Sequence, residues 1–206
     1  MSIPKSTLRS TGNKFSIHPA LPLVWGFLAF CGKGDGVLFV FAAAVIHEVA
    51  HIAVFLSYGE RIKKLRLMPF GISVSLCSAT DVSCGKEVFA SLAGIIANIA
   101  AGIVSLLFGG VENLVGLDFF AACNFAFAAV NMIPVIPLDG GRALYFLLLK
   151  STSPARAQQA TTAVSLVFLV PLTAASFFLI IKTGYNFSLL LICIYLFSYI
   201  ALKREI

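Results

Sequence analysis

Residues 88–108 and 160–181 each run for more than twenty positions without one charged side chain. A helix of that length spans about 30 Å, the thickness of a bilayer's hydrocarbon core. Inside that layer the backbone must satisfy its own hydrogen bonds, which leaves helices or a closed barrel. A lipid-facing barrel strand alternates apolar and polar residues over about ten positions, and these runs do not alternate. The chain must therefore fold as membrane helices. With 59% of residues hydrophobic and 12% charged, it has about half the charge expected of a soluble domain.

The expected fold class is an all-α polytopic membrane protein with about six transmembrane helices, near 17–31, 36–57, 88–108, 117–137, 160–181 and 187–202. Pro19 and Pro22 interrupt the first. Pro134 and Pro137, followed by Gly140 and Gly141, break the end of the fourth, and Pro171 is expected to kink the fifth. Residues 150–159, KSTSPARAQQ, read as a loop. One segment departs from helical periodicity. FGISVSLC, residues 70–77, alternates Ile72, Val74 and Leu76 with Gly71, Ser73, Ser75 and Cys77, the pattern of a strand. It lies between a basic loop and a span that begins on the same side, so residues 65–85 are expected to dip into the membrane and return. No repeat or low-complexity tract appears, and residues 1–206 read as one domain without a cleavable signal peptide.

The formal net charge of +6 does not point to nucleic acid. Its lysines and arginines sit in short clusters between apolar runs, not along a basic face with interleaved aromatics. With the amino terminus inside, thirteen of the fifteen fall on the cytoplasmic side, leaving Lys33 and Lys182 outside. That asymmetry orients the chain in a cell membrane with both termini cytoplasmic, and the clusters meet anionic headgroups of the lipid bilayer. The five cysteines form no CxxC pair and read as small apolar residues.

Inside the second apolar run lies HEVAH, residues 47–51. Positions i and i+4 share a helical face, so His47 and His51 present their rings one turn apart. The spacing suits two nitrogen ligands on one Zn²⁺, with Glu48 between them as general base. Two His and a Glu at mid-span are costly unless they pair or bind something. A catalytic zinc needs a third protein ligand. Acidic residues away from the loop ends reduce to Asp139, in NMIPVIPLDGGR at 131–142. Alone, an Asp before Gly-Gly reads as a turn residue; beside HEVAH, the ligand reading takes precedence. Asn98 and Asn124 read as interhelical hydrogen-bonding residues, and Arg142 either fixes the Asp139 turn or marks the cytoplasmic rim.

HEVAH, followed about 80 residues later by Asn131-x-x-Pro134-x-x-x-Leu138-Asp139-Gly140-Gly141-Arg142, resembles the site-2 protease family of intramembrane zinc metalloproteases. The resemblance extends to SLAGIIAN at 91–98, with Ile95 where the family usually has Pro. It implies His47, His51 and Asp139 as zinc ligands, Glu48 as catalytic base, and Asn131 as a substrate-binding or transition-state-stabilising amide. It implies a membrane-embedded protein substrate and a regulatory membrane partner. The small size is most similar to the sporulation-type branch, without the PDZ insertion of another branch or the appended nucleotide-sensing domain of some members. Two rival functions remain open at this level: an inactive relative acting as a scaffold, and a metal transporter, which would need ligands strung across the membrane.

Topology reporters fused after Arg66 and at the carboxy terminus are expected to signal cytoplasm, and one fused near Glu112 the opposite side. A cytoplasmic signal at Glu112 would overturn the six-span arrangement.

Overall fold

The computed structural model describes residues 15–17, 34–59, 61–68, 71–77, 83–112, 116–184 and 187–203. In chain order these form β1 (Phe15–Ile17), α1 (Gly34–Ser57), β2 (Arg61–Met68), β3 (Gly71–Cys77), α2 (Cys84–Glu112), α3 (Leu117–Met132), α4 (Asp139–Leu149), α5 (Pro154–Thr183) and α6 (Ser188–Lys203). Three helices are long and apolar enough to cross a membrane, over Gly36–Ser57, Cys84–Gly109 and Pro154–Thr183. They contain the expected segments 36–57, 88–108 and 160–181. The segments at 117–137 and 187–202 correspond to shorter apolar helices, Leu117–Met132 and Leu189–Leu202. The expected segment 17–31 lies outside the described residues apart from Ile17.

The strand expected at 70–77 is β3, but it does not stand alone. The preceding residues, read from sequence as a basic loop, form β2, which pairs antiparallel with β3 from Arg61↔Cys77 to Met68↔Gly71, with an irregularity between Ile62 and Lys64. On its other edge β2 pairs in parallel with β1, from Phe15↔Leu65 to Ile17↔Leu67. In RIKKLRLM, Leu65-Arg66-Leu67 already alternates, but four basic residues mask that short signal. The sheet order is β1-β2-β3, so β3 is an edge strand among the described residues, and it packs against α1.

Helices α1, α2, α3 and α4 pack around a buried seam of small residues: Ala43 and Ala44 on α1, Ala90 and Ala93 on α2, Ala121 and Ala128 on α3, and Ala143 on α4. In lipid there is no hydrophobic drive between helices, so close approach of backbones through small residues is what holds a bundle together. Asn98 spans this seam, its Nδ2 donating to the Ala43 carbonyl at 3.3 Å. Buried Cys123 and Cys193 are free, as expected of cysteines serving as small apolar residues.

A second cluster is built around the break after α3. Val135, Leu169 and Leu196 are buried together, with Ile133, Leu138, Leu172, Phe197 and Ile200 against them. This joins the broken segment to α5 and α6. One stretch assigned to no element from sequence is a helix here, and one local reading needs correction. Residues 139–149 are helical, because ALYFLLL favours a helix once Gly140 and Gly141 have turned the chain. The supposed loop 150–159 shrinks to Lys150–Ser153, since Pro154 opens α5 at a position where its missing N–H costs nothing.

The break itself is fully accounted for. Ile133 N–H donates to Val130 O at 3.2 Å, Val135 N–H to Ile133 O at 2.8 Å, and Leu138 N–H to Val135 O at 2.8 Å. Pro134 and Pro137 have no N–H to satisfy. The remaining donor, Ile136 N–H, reaches Ser165 Oγ on α5 at 3.1 Å. Non-helical backbone at depth is tolerated when protein supplies its partners, and here one serine hydroxyl completes the set. Ser165→Ala is expected to leave the Ile136 N–H buried and unpaired, lowering stability by about 1–3 kcal/mol. Thermal unfolding in detergent would read this; an unchanged midpoint would show that the break does not depend on Ser165.

Candidate metal centre

His47 and His51 lie one turn apart on α1, their rings edge to face with centroids 4.8 Å apart. The buried Asp139 closes the group from another element: its Oδ2 is 2.7 Å from His47 Nε2 and 3.0 Å from His51 Nε2. The two Nε2 atoms are 3.2 Å from each other. Asp139 is the first residue of α4, directly after the N-cap Leu138, where a turn residue would keep its carboxylate at its own helix start. Its carboxylate turns to the histidines instead.

The proton positions decide what this group is for. His51 Nδ1 lies 2.7 Å from the Ala90 carbonyl. A carbonyl only accepts, so Nδ1 carries the proton and Nε2 presents a lone pair in the neutral ring. That lone pair faces a carboxylate oxygen and another imidazole nitrogen. Three such atoms, all within 4.8 Å of one another, repel unless a proton or cation lies among them. Ligands on a tetrahedral zinc at 2.0–2.1 Å sit about 3.3 Å apart, so the observed spacings of 2.7, 3.0 and 3.2 Å need open by at most about 0.6 Å to admit one. His47, His51 and Asp139 therefore fit a metal ion, and three protein ligands leave a position for water or substrate.

Two features of the site carried no clear mark in the sequence. The Ala90 carbonyl could come from any residue type, so no pattern reveals it. Gly94 is the second: a Cβ there would lie 2.6 Å from His47 Cε1, 2.6 Å from His51 Nε2 and 2.7 Å from His47 Nδ1. The α2 backbone thus lies directly against both rings, and only hydrogen fits. A glycine inside an apolar helix is the signal that marks such a close approach. Gly140 and Gly141 do the same for the third ligand. A Cβ on Gly141 would lie 2.5 Å from the Val135 carbonyl carbon, and one on Gly140 would strike the Met132 and Ile133 carbonyls. The first turn of α4 folds back onto the end of α3, which brings Asp139 to α1.

Glu48 follows His47 on α1 and is half-buried. Asn131, also half-buried, donates from Nδ2 to the Phe127 carbonyl at 3.0 Å; the Phe127 ring is 6.1 Å from that of His47. The structure thus joins His47, His51 and Asp139 directly and places Asn131 one helical turn from a ring beside the group.

Comparisons with known proteins agree with this geometry. The family described as Peptidase family M50 matches residues 110–172. Stage IV sporulation protein FB of Bacillus subtilis is 27% identical over 157 residues, covering 75% of this chain and 54% of that protein. A zinc metalloprotease of Methanocaldococcus jannaschii is 30% identical over 121 residues, covering 55% of this chain and 35% of that protein. This chain thus spans about half the length of the first of these relatives and less of the second. Among solved structures, a site-2 protease from the same archaeon superposes with a TM-score of 0.70 at 18% identity, covering 95% of this chain and 93% of that one. The resemblance to the site-2 protease family holds in all three comparisons.

Purified protein is expected to hold one zinc per chain, and His47→Ala or Asp139→Ala to weaken its retention. Gly94→Ala is expected to lower zinc affinity by about 10–100-fold by displacing both rings. Metal content after dialysis against graded chelator measures this; native affinity in Gly94→Ala would mean that α2 does not set the rings.

Proposed function

With a Peptidase family M50 segment and the fold of a site-2 protease, this chain is, we propose, an intramembrane zinc metalloendopeptidase that cleaves membrane-spanning or membrane-tethered proteins. The observation that carries the proposal is the convergence of His47, His51 and Asp139 beside Glu48, within a bundle whose helices are long and apolar enough to span a membrane.

In this reading zinc, when bound, supplies Lewis-acid polarisation of the scissile carbonyl and makes water acidic enough to deprotonate near neutral pH. The chain's own residues do the rest. Glu48 takes the proton from the attacking water and passes it to the leaving amine. The His51 Nδ1–H bond to Ala90 holds the ring so that Nε2 faces the metal. Asn131 keeps one amide N–H on Phe127 O and has a second for a substrate carbonyl. A substrate helix must become extended before attack, and extended backbone in lipid lacks partners. The outer edge of β3, next to α1, offers them by strand addition. Membrane-embedded position and cytoplasmic termini belong to the same proposal, supported by the long apolar helices and the charge asymmetry, and the family resemblance adds a regulatory membrane partner.

The test is cleavage of a model membrane-tethered substrate by reconstituted protein. Glu48→Gln is expected to lose about 10²–10⁴-fold in rate while keeping zinc, and a native rate in that variant would refute the proposal. Ser73→Pro and Val74→Pro, tried separately, each remove one N–H from β3; the one facing substrate is expected to lose cleavage at normal zinc content. Native rates in both would remove β3 from substrate presentation.

A further inference from the structure

A cleft of about 360 Å³ opens between α4, α5 and α6, with Arg142, Tyr145, Gln158 and Tyr199 among its lining together with Ile136 and Pro137. The metalloprotease reading makes no use of it. Its volume would hold about a dozen waters at roughly 30 Å³ each, room enough for a phosphate-bearing headgroup. The polar side chains of the cleft can all donate hydrogen bonds. Arg142 brings five N–H donors and no acceptor, and Tyr145, Tyr199 and Gln158 add hydroxyl and amide donors. Among the described residues, no acidic side chain lines the cleft. No ion pair joins the Arg142 guanidinium to a carboxylate among the described residues. Arg142 is exposed, so its guanidinium is open to an anionic counter-ion from the bilayer surface.

Depth identifies where that counter-ion lies. The 30 residues of α5 span about 45 Å, some 15 Å more than the hydrocarbon layer. Its first turns carry Arg156, Gln158, Gln159, Thr161 and Thr162 before the apolar run begins at Ala163, so Gln158 stands at headgroup level. Tyr199 lies within one turn of the carboxy-terminal end of α6, and Tyr145 and Tyr199 are residues that favour that interface. From the cleft an exposed stripe continues down α6: Leu202 and Tyr195 flank Tyr199 at helical spacing, with Ile192 beyond, at 69%, 61% and 42% exposure. Ile192, Tyr195, Tyr199 and Leu202 share one face.

We infer that this cleft binds the phosphodiester of an anionic phospholipid, with Arg142 on the phosphate and an acyl chain along Tyr195 and Ile192, on the hydrocarbon side of Tyr199. Guanidinium and phosphate meet through paired N–H···O bonds, and basic pockets between membrane helices are a known form of lipid recognition. The bound phosphate lies beside Pro137 and Arg142, on either side of Asp139 in the chain. The lipid therefore clamps the turn that delivers the third ligand to the bilayer surface. This inference stands apart from the protease reading, because its test reads lipid and not cleavage.

The probe is phosphatidylglycerol, with phosphatidylcholine as the uncharged comparison, counted per chain by native mass spectrometry of detergent-solubilised protein. The native chain is expected to retain one phosphatidylglycerol through washing that strips phosphatidylcholine. Arg142→Gln is expected to lose at least about tenfold in that preference. The pair Tyr145→Phe with Tyr199→Phe, which leaves the Asp139 turn untouched, should weaken it as well, so a folding defect in Arg142→Gln would not mask the result. Retention by all these variants at the native level overturns the proposal. Inorganic phosphate in the wash distinguishes the two sources of phosphate. If it displaces phosphatidylglycerol at equal concentration, the site takes free phosphate and the lipid assignment fails; if the lipid stays, the acyl stripe contributes as argued.

Discussion

Three electron-pair donors, two imidazole nitrogens and a carboxylate oxygen, meet at 2.7–3.2 Å among helices built largely from alanine, glycine and aliphatic residues. Nothing else in the described fold is so costly to assemble. Each atom would be better solvated in water, and each repels the others unless a cation or proton separates them. The two histidines come cheaply, since one helix delivers both at i and i+4. The carboxylate does not. Asp139 must arrive from a segment 88 residues beyond His51 in the chain, and it must point into the seam where Gly94 leaves space.

That requirement accounts for the most irregular part of the structure. A continuous helix through residues 117–149 would carry Asp139 past the site along its own axis. The prolines stop α3 at Met132, and the glycines let α4 start against its end. The cost of breaking a helix at depth is unpaired backbone, and it is met within the fold. Two of the freed positions are proline, three N–H groups bond locally, and one crosses to Ser165. The apolar cluster of Val135, Leu169 and Leu196 then fixes the broken segment to α5 and α6. Ligand placement, backbone satisfaction and packing are here one arrangement.

The site is also anchored at both flanks. On one side α2 presses its Gly94 backbone onto the rings and offers the Ala90 carbonyl to His51. On the other, Ile136 and Pro137 of the turn before Asp139 form a wall of the cleft that also holds Arg142, Tyr145 and Tyr199. The sheet lies next to α1. The candidate metal centre, the β3 edge and this cleft are therefore neighbours, each next to the HEVAH helix or the Asp139 turn.

Much of this was legible in the residues. Uncharged runs of helix-spanning length demand helices because lipid offers no hydrogen bonds, and HEVAH at i, i+4 places two nitrogens on one face by helical geometry alone. The alternation of Gly71–Cys77 marked a strand, and the prolines marked the break in the fourth segment, because both signals are local. What stayed hidden was whatever depends on a partner distant in sequence. Arg61–Met68 reads as a basic loop until β3 lies beside it, and Asp139–Leu149 becomes a helix through its packing on the bundle. No pattern names the Ala90 carbonyl, which any residue can supply, or Ser165, whose hydroxyl matters only because Ile136 comes to rest against it. The sequence alone determined the solvent, the helices and the identity of the chemical groups. Tertiary structure alone decided that Asp139 meets His47 and His51, because that contact spans some ninety residues and exists only once a broken helix has been packed back onto the bundle.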